Sequence, residues 1–208
     1  MTRRAAFIYE DSLAKHVLNE THPMKPIRLS YTYELLKAYR AFDHPSSILV
    51  QPRLATKAEI LLYHTEEYLT AVENLGKGKM NIPASKFNLG HGDNPVYPGM
   101  HEAALLSTGA SLRGVELLHA DRIDAAFSIS GGLHHAMPNY AYGFCIYNDP
   151  VIAIKRLLSV GHKVAYIDID CHHGDGVQNA FYDTDSVLTI SIHESGEFLF
   201  PGTGFVHE

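Results

Sequence analysis

From residue 98 onward the chain alternates segments of helical and strand character, and that order restricts its fold more than any other feature. The spacing predicts a helix over 98–119, opened by Pro98, then a turn over 121–124 and a strand over 125–129. A helix over 148–160, stopped by Gly161, leads to a strand over 163–170. A short helix over 175–182 and a strand over 187–193 follow. Strict alternation implies parallel strands joined by right-handed helical crossovers. The expected architecture is therefore three-layer α/β, a mostly parallel sheet flanked by helices.

The first half adds strands over 5–9 and 46–50. In a helix over 29–42, Leu29, Tyr33, Leu36, Tyr39 and Ala41 fall near one face. Thr56 is placed to cap a helical stretch to Tyr63, and a further helix over 65–75 has Gly76 as its stop. Residues 76–98 are rich in Gly, Pro and Asn and read as a long surface loop, a common carrier of function. No linker divides the chain, so residues 1–208 are expected to belong to one domain.

Seventeen Lys and Arg against 23 Asp and Glu give a formal charge of −6. No basic run stands out, which argues against nucleic acid as a direct partner. Two cysteines, Cys145 and Cys171, without a Cys-x-x-Cys, argue against a disulfide scaffold or a structural zinc knuckle. Both read as free thiols in a reducing compartment. The basic N-terminus precedes an apolar run too short for a signal peptide, and no apolar stretch is long enough for a membrane span. The expected location is the cytoplasm. The unusual number is fourteen histidines, several clustered with Asp and Gly.

The densest cluster is Val164-Ala-Tyr-Ile-Asp-Ile-Asp-Cys-His-His-Gly-Asp-Gly176. In an extended strand, residues two apart share a face, which groups Asp168, Asp170 and His172 and sends Cys171 to the other side. Carboxylates in a buried row need partners, and a divalent metal is the simplest. Oxygen and imidazole donors suit zinc, manganese or iron(II). Ligand sites of parallel sheets lie at such C-terminal strand ends. A second strand end carries Ser130-Gly-Gly-Leu-His-His-Ala136. Its glycines allow close approach of backbone to ligand. His134 and His135 suit a general base and an electrostatic partner. Asp168 and Asp175 are carboxylates able to orient the two imidazoles.

Gly-Gly-Leu-His-His-Ala, Gly143-Phe-Cys-Ile-Tyr-Asn-Asp149, Tyr166-Ile-Asp-Ile-Asp-Cys-His-His-Gly-Asp-Gly176 and Phe200-Pro-Gly-Thr-Gly204 occur in the order of the histone deacetylase superfamily signature. With His22-Pro-Met-Lys-Pro-Ile-Arg28, the combination most resembles the bacterial acetoin-utilization-type deacetylases, from about residue 6 to the last. Leu133 is a small departure, since some relatives carry an aromatic there.

The resemblance implies an arginase/deacetylase-type fold and zinc, or iron(II), held by Asp170 and His172. It implies His135 as main general base and acid, paired with Asp175, and His134 as chiefly electrostatic, paired with Asp168. Gly143, Phe144 and Phe200 correspond to the acetyl-lysine tunnel, and Asp93 to the aspartate at its rim. Arg28 corresponds to an arginine of an internal acetate channel. A turn aspartate and a surface arginine are the competing readings of Asp93 and Arg28. A potassium site is implied at the Asp168 side chain, the carbonyls of Asp170, His172 and Ile192, and the Ser191 hydroxyl. A second is implied at Phe181, Thr184 and Val187. The family's third zinc ligand and its carbonyl-polarising tyrosine have no counterpart among these residues. The expectation is thus the truncated N-terminal part of one deacetylase domain, inactive alone. Its substrate would be an acetylated protein lysine, an acetylpolyamine or another small acetyl-amide. The rivals are a two-manganese ureohydrolase and an inactive binding fragment.

Overall fold

The computed structural model describes residues 3–16, 18–79, 81–90 and 92–208. Met1 and Thr2 of the basic N-terminus, Val17, and Met80 and His91 of the long loop lie outside them. Strand β1 (Ala5–Ile8) leads through α1 (Ile27–Ala38) to β2 (Ser47–Val50), and β1 pairs in parallel with β2 and with β3 (Ala125–Ser128). The strand order is β2-β1-β3. The second half adds β4 (Val164–Asp168) and β5 (Val187–Ser191), a separate parallel pair.

Between them run α2 (Lys57–Ile60), α3 (Glu66–Gly76), α4 (Met100–His119), α5 (Asp149–Ser159) and α6 (Asp175–Phe181). Alternation along β1 builds the layers. Phe7 and Tyr9 stack against Tyr33 of α1 on one face, and Ile8 with Ala126 meets Gly114 of α4 on the other. A second core forms where Tyr68, Val72 and Leu75 of α3 meet Met100, Leu112, Tyr147 and Ile152. Burying each such side chain stabilises by roughly 1.5–3 kcal/mol.

Local chemistry sets the helix ends. Thr56 accepts from the Glu59 N–H while Glu59 accepts from the Thr56 N–H, a capping box that opens α2. That helix is only one turn long and ends at Ile60, short of Tyr63. Thr65 caps α3 through the Tyr68 N–H. Gly76 lies inside α3, pressed against Met100 and His101, and the left-handed stop is Gly78 (φ 79°).

Pro98 does not open α4, because Gly99 intervenes in the left-handed conformation (φ 78°) and the helix begins at Met100. The first helix ends at Ala38 instead of residue 42, since Arg40 turns left-handed (φ 59°) and leaves Tyr39 exposed. The long loop carries a 3-10 turn, Ala84–Phe87, that buries Phe87. Among the described residues no helix is long and apolar enough to cross a membrane.

Candidate active site

Strand β4 ends at Asp168, two residues before the expected end, so Asp170 and His172 do not sit on a strand face. They lie on a bend that links β4 to α6. The bend brings them together by another route. The Asp170 carboxylate accepts from the His172 N–H at 2.8 Å, and the His172 Nδ1 lies 2.8 Å from the same oxygen. Cys171 consequently does not turn away: its Sγ lies 3.4 Å from His172 Nδ1. One ligand atom from each of Asp170, Cys171 and His172 falls within 4.8 Å of the others. A carboxylate oxygen and an imidazole nitrogen, both reaching solvent, form a donor set that suits zinc or iron(II). The residues present fit such an ion.

His134 and His135 follow β3 and are almost fully buried, 5% and 4% exposed. His134 Nδ1–H donates to Asp168 at 2.5 Å, and His135 Nδ1–H donates to Asp175 at 2.7 Å. Tying both Nδ1 atoms to carboxylates fixes the tautomer and leaves each Nε2 as the basic atom. Burial alone would lower the His134 pKa, but the Asp168 bond and the surrounding carboxylates outweigh it and raise it. Burial lowers His135, and the neighbouring His134 and His172 add to that against the pull of Asp175. Burial also disfavours the charge of Asp168, yet donors from His134, Tyr166 and the Asp170 N–H hold its carboxyl at about 2. Two chemically alike rings thus differ, one favouring the charged form and one the neutral form.

The expected residues meet in one cleft of about 990 Å³ between β3 and β4. Arg28, Asp93, His134, His135, Gly143, Phe144, Asp168, Asp170, His172 and Phe200 all line it. Phe200 stands 5.0 Å from the His135 ring and 6.0 Å from that of His172. Gly143 (φ 50°) lies so close that a Cβ there would sit 2.4 Å from His135 Cδ2, so only glycine fits. Phe144 itself adopts φ 71°, a conformation costly for an aromatic residue. It is held there by its N–H donating to Asn94 Oδ1 at 3.0 Å and by edge contact with His22. The His22 ring in turn lies 3.1 Å from the Asp93 carbonyl, which ties the long loop to the rim. Arg28, exposed on α1, also lines a smaller cavity of about 80 Å³ adjoining Phe144 and Leu133.

The residues read as cation ligands divide: Asp168, Asp170 and His172 line the cleft, whereas Ser191, Ile192, Phe181, Thr184 and Val187 lie outside its lining. Ser191 accepts from the Gly174 N–H, and its oxygen lies 2.8 Å from His193 Nδ1. The Ile192 N–H donates to the Asp168 carbonyl. Phe181 and Val187 pack together behind the site, with Thr184 in the turn between α6 and β5.

Sequence reasoning passed over His22 and Asn94 as supports of Phe144, Tyr166 as a donor to Asp168, and Asn148 and Asp149. All but Asn94 stood inside the quoted motifs, but only adjacency in space gives them a role.

A cleft that joins an aspartate–histidine pair able to hold a metal to two carboxylate-held histidines has the arrangement that metal-assisted hydrolysis requires. Comparison with known proteins narrows the reading. Residues 22–208 match the model of the histone deacetylase domain. The chain is 44% identical over 210 residues to acetoin utilization protein AcuC of Bacillus subtilis, covering 99% of this chain and 53% of that protein. It is 40% identical to histone deacetylase RPD3 of Saccharomyces cerevisiae, covering 97% and 46% respectively. The crystal structure of an HDAC homolog from Aquifex aeolicus superposes with a TM-score of 0.90 at 36% identity, covering 99% of this chain and 55% of that one. The chain belongs to the histone deacetylase family and has its α/β fold. It spans about half the length of the curated relatives it matches.

Proposed function

We propose that this chain carries the N-terminal part of a zinc-dependent deacetylase domain that hydrolyses an acetylated amine to acetate and free amine. The observation that carries this reading is the pair of buried histidine–carboxylate couples facing the same cleft as Asp170 and His172. Asp170 and His172 would hold the metal, which when bound acidifies a water and polarises a carbonyl. His135, whose pKa burial lowers toward the neutral form and which Asp175 orients, accepts the proton of the attacking water at Nε2 and returns it to the leaving amine. His134, whose pKa Asp168 raises, favours the charged form and stabilises the negative charge that develops on the substrate.

Phe144 and Phe200 flank an apolar linker such as a lysine side chain, Asp93 meets the substrate at the rim, and Arg28 faces the route by which acetate leaves. Acetylated protein lysine, an acetylpolyamine or a small acetyl-amide satisfies these contacts, and the setting is cytoplasmic. Potassium at Asp168 and Ser191, and at Phe181, Thr184 and Val187, would brace β4 and α6. Family membership favours this chemistry over that of a two-manganese ureohydrolase.

The 208 residues alone are proposed to be inactive, because this reading assigns the metal only Asp170 and His172, and catalytic zinc takes three protein ligands as a rule. The test joins residues 1–208 to the C-terminal portion of the Bacillus subtilis relative and assays hydrolysis of an acetyl-lysine peptide. Turnover by the chimera and none by residues 1–208 is expected. Equal turnover by both would overturn the half-domain reading, and none by either would overturn the assigned activity.

A further inference from the structure

The backbone that carries His134 and His135 is gripped from both sides by two adjacent side chains at the start of α5. Asn148 is fully buried, and its amide donates one hydrogen bond to the His134 carbonyl and one to the Ala136 carbonyl, each at 3.0 Å. Both amide hydrogens are thereby used, and its oxygen accepts from the Val151 N–H as the helix cap. Asp149, 2% exposed, reaches the other end of the same segment. Its carboxylate accepts from the Gly132 N–H at 3.2 Å, the Leu133 N–H at 2.9 Å and the Ser111 hydroxyl. A carboxylate in the first turn of a helix also gains from the helix dipole.

The grip reaches α6 as well. Gly176, beside the carboxylate partner of His135, packs so closely that a Cβ there would lie 2.3 Å from the His134 carbonyl and 2.8 Å from the Asn148 amide nitrogen. The backbone of the tandem histidines, the start of α5 and the start of α6 therefore meet at one buried point. Neither Asn148 nor Asp149 lines the cleft.

We propose that Asn148 and Asp149 are positioning residues, a two-sided backbone clamp that holds the His134 and His135 rings in register with Asp168 and Asp175. The proposal rests on the deacetylase reading for its functional consequence, but the clamp itself is a property of this chain. A displacement of about 1 Å at a reacting group can cost about 10²-fold in rate. The clamp ties both flanks of the tandem histidines to the helix that follows.

The test is imidazole 1H–15N NMR of the chimera with the Bacillus subtilis relative, which reads the His134 and His135 Nδ1–H protons and needs no turnover. His134→Gln and His135→Gln assign the two signals. Asn148→Ala and Asp149→Ala are expected to remove or broaden both, with secondary structure unchanged by circular dichroism. Should either alanine variant fail to fold, Asp149→Asn, which keeps the shape but can accept fewer of the three donors, is expected to shift them. Signals unchanged in every folded variant would overturn the clamp. In the chimera with the Bacillus subtilis relative, Asp149→Asn is expected to lower kcat about 10²-fold with KM unchanged. A rise in KM at constant kcat would contradict a positioning role. Loss of the NMR signals without any turnover in the parent chimera would leave the clamp standing and overturn the deacetylase reading instead.

Discussion

His134 and His135 are neighbours with the same side chain and the same kind of partner, yet their surroundings shift their pKa values in opposite directions. This asymmetry predicts unequal mutational effects. His135→Ala should lower the rate of an active chimera by roughly 10²–10⁴-fold, as loss of a general base does, and His134→Ala by less. Equal or reversed losses in a kcat measurement would show the roles misassigned. Because the pKa of His135 is pushed below 6.5, the acid limb of the kcat/KM profile should fall below that value. An acid limb above it would contradict a neutral base.

Asp168 supplies a stability prediction with a definite sign. Its carboxyl is held at about 2 against an ordinary 3.8, so its contribution is present above 3.8 and is lost as pH falls through about 2. Asp168→Asn should flatten the drop in melting temperature across that window, and an unchanged slope would refute the pairing. His134 has the opposite sign: its stabilising share is present below 6.5 and is lost as pH rises through its raised pKa.

Strand β4, the bend after it and α6 form the element on which the metal reading depends. His172→Ala should abolish zinc retention in the chimera, read as metal content after dialysis. Retained stoichiometric zinc would place the site elsewhere. If potassium binds behind this element, replacing it with a bulky organic cation should lower the melting temperature, and no response would count against those sites. The alternation of elements was legible because its apolar periods are strong, and the motifs at the ends of β3 and β4 were legible because polar clusters are costly there. Their geometry was not. Asp170 and His172 converge through a bend, not through strand alternation, and no residue in the segment announces where β4 stops. Gly76 and Pro98 also misled, because a glycine can serve close packing and a proline can precede a left-handed turn. Asn148 read correctly as a helix start, but its second task depends on a contact with His134, 14 residues away.

At the scale of the molecule, one face of the β4–β5 pair is apolar and open. Ile167, Ile169, Leu188, Ile190 and Ile192 are all exposed, Ile167 by 61% and Leu188 by 60%. Parallel sheets are normally covered on both faces. The 208-residue chain should therefore bind a hydrophobic dye such as ANS and self-associate as its concentration rises. The chimera, if its added portion covers this face, should bind less, and equal binding by both would argue against that cover. Among the described residues the cleft lies between two strands, β3 and β4, that do not pair with each other. The decisive measurement is acetate release from an acetyl-lysine peptide by the chimera, compared as metal-stripped, zinc-reloaded and His135→Ala protein. Metal-assisted hydrolysis through His135 predicts that release appears on reloading and is lost both on stripping and in the variant. Undiminished release by the stripped protein or by the variant would contradict it.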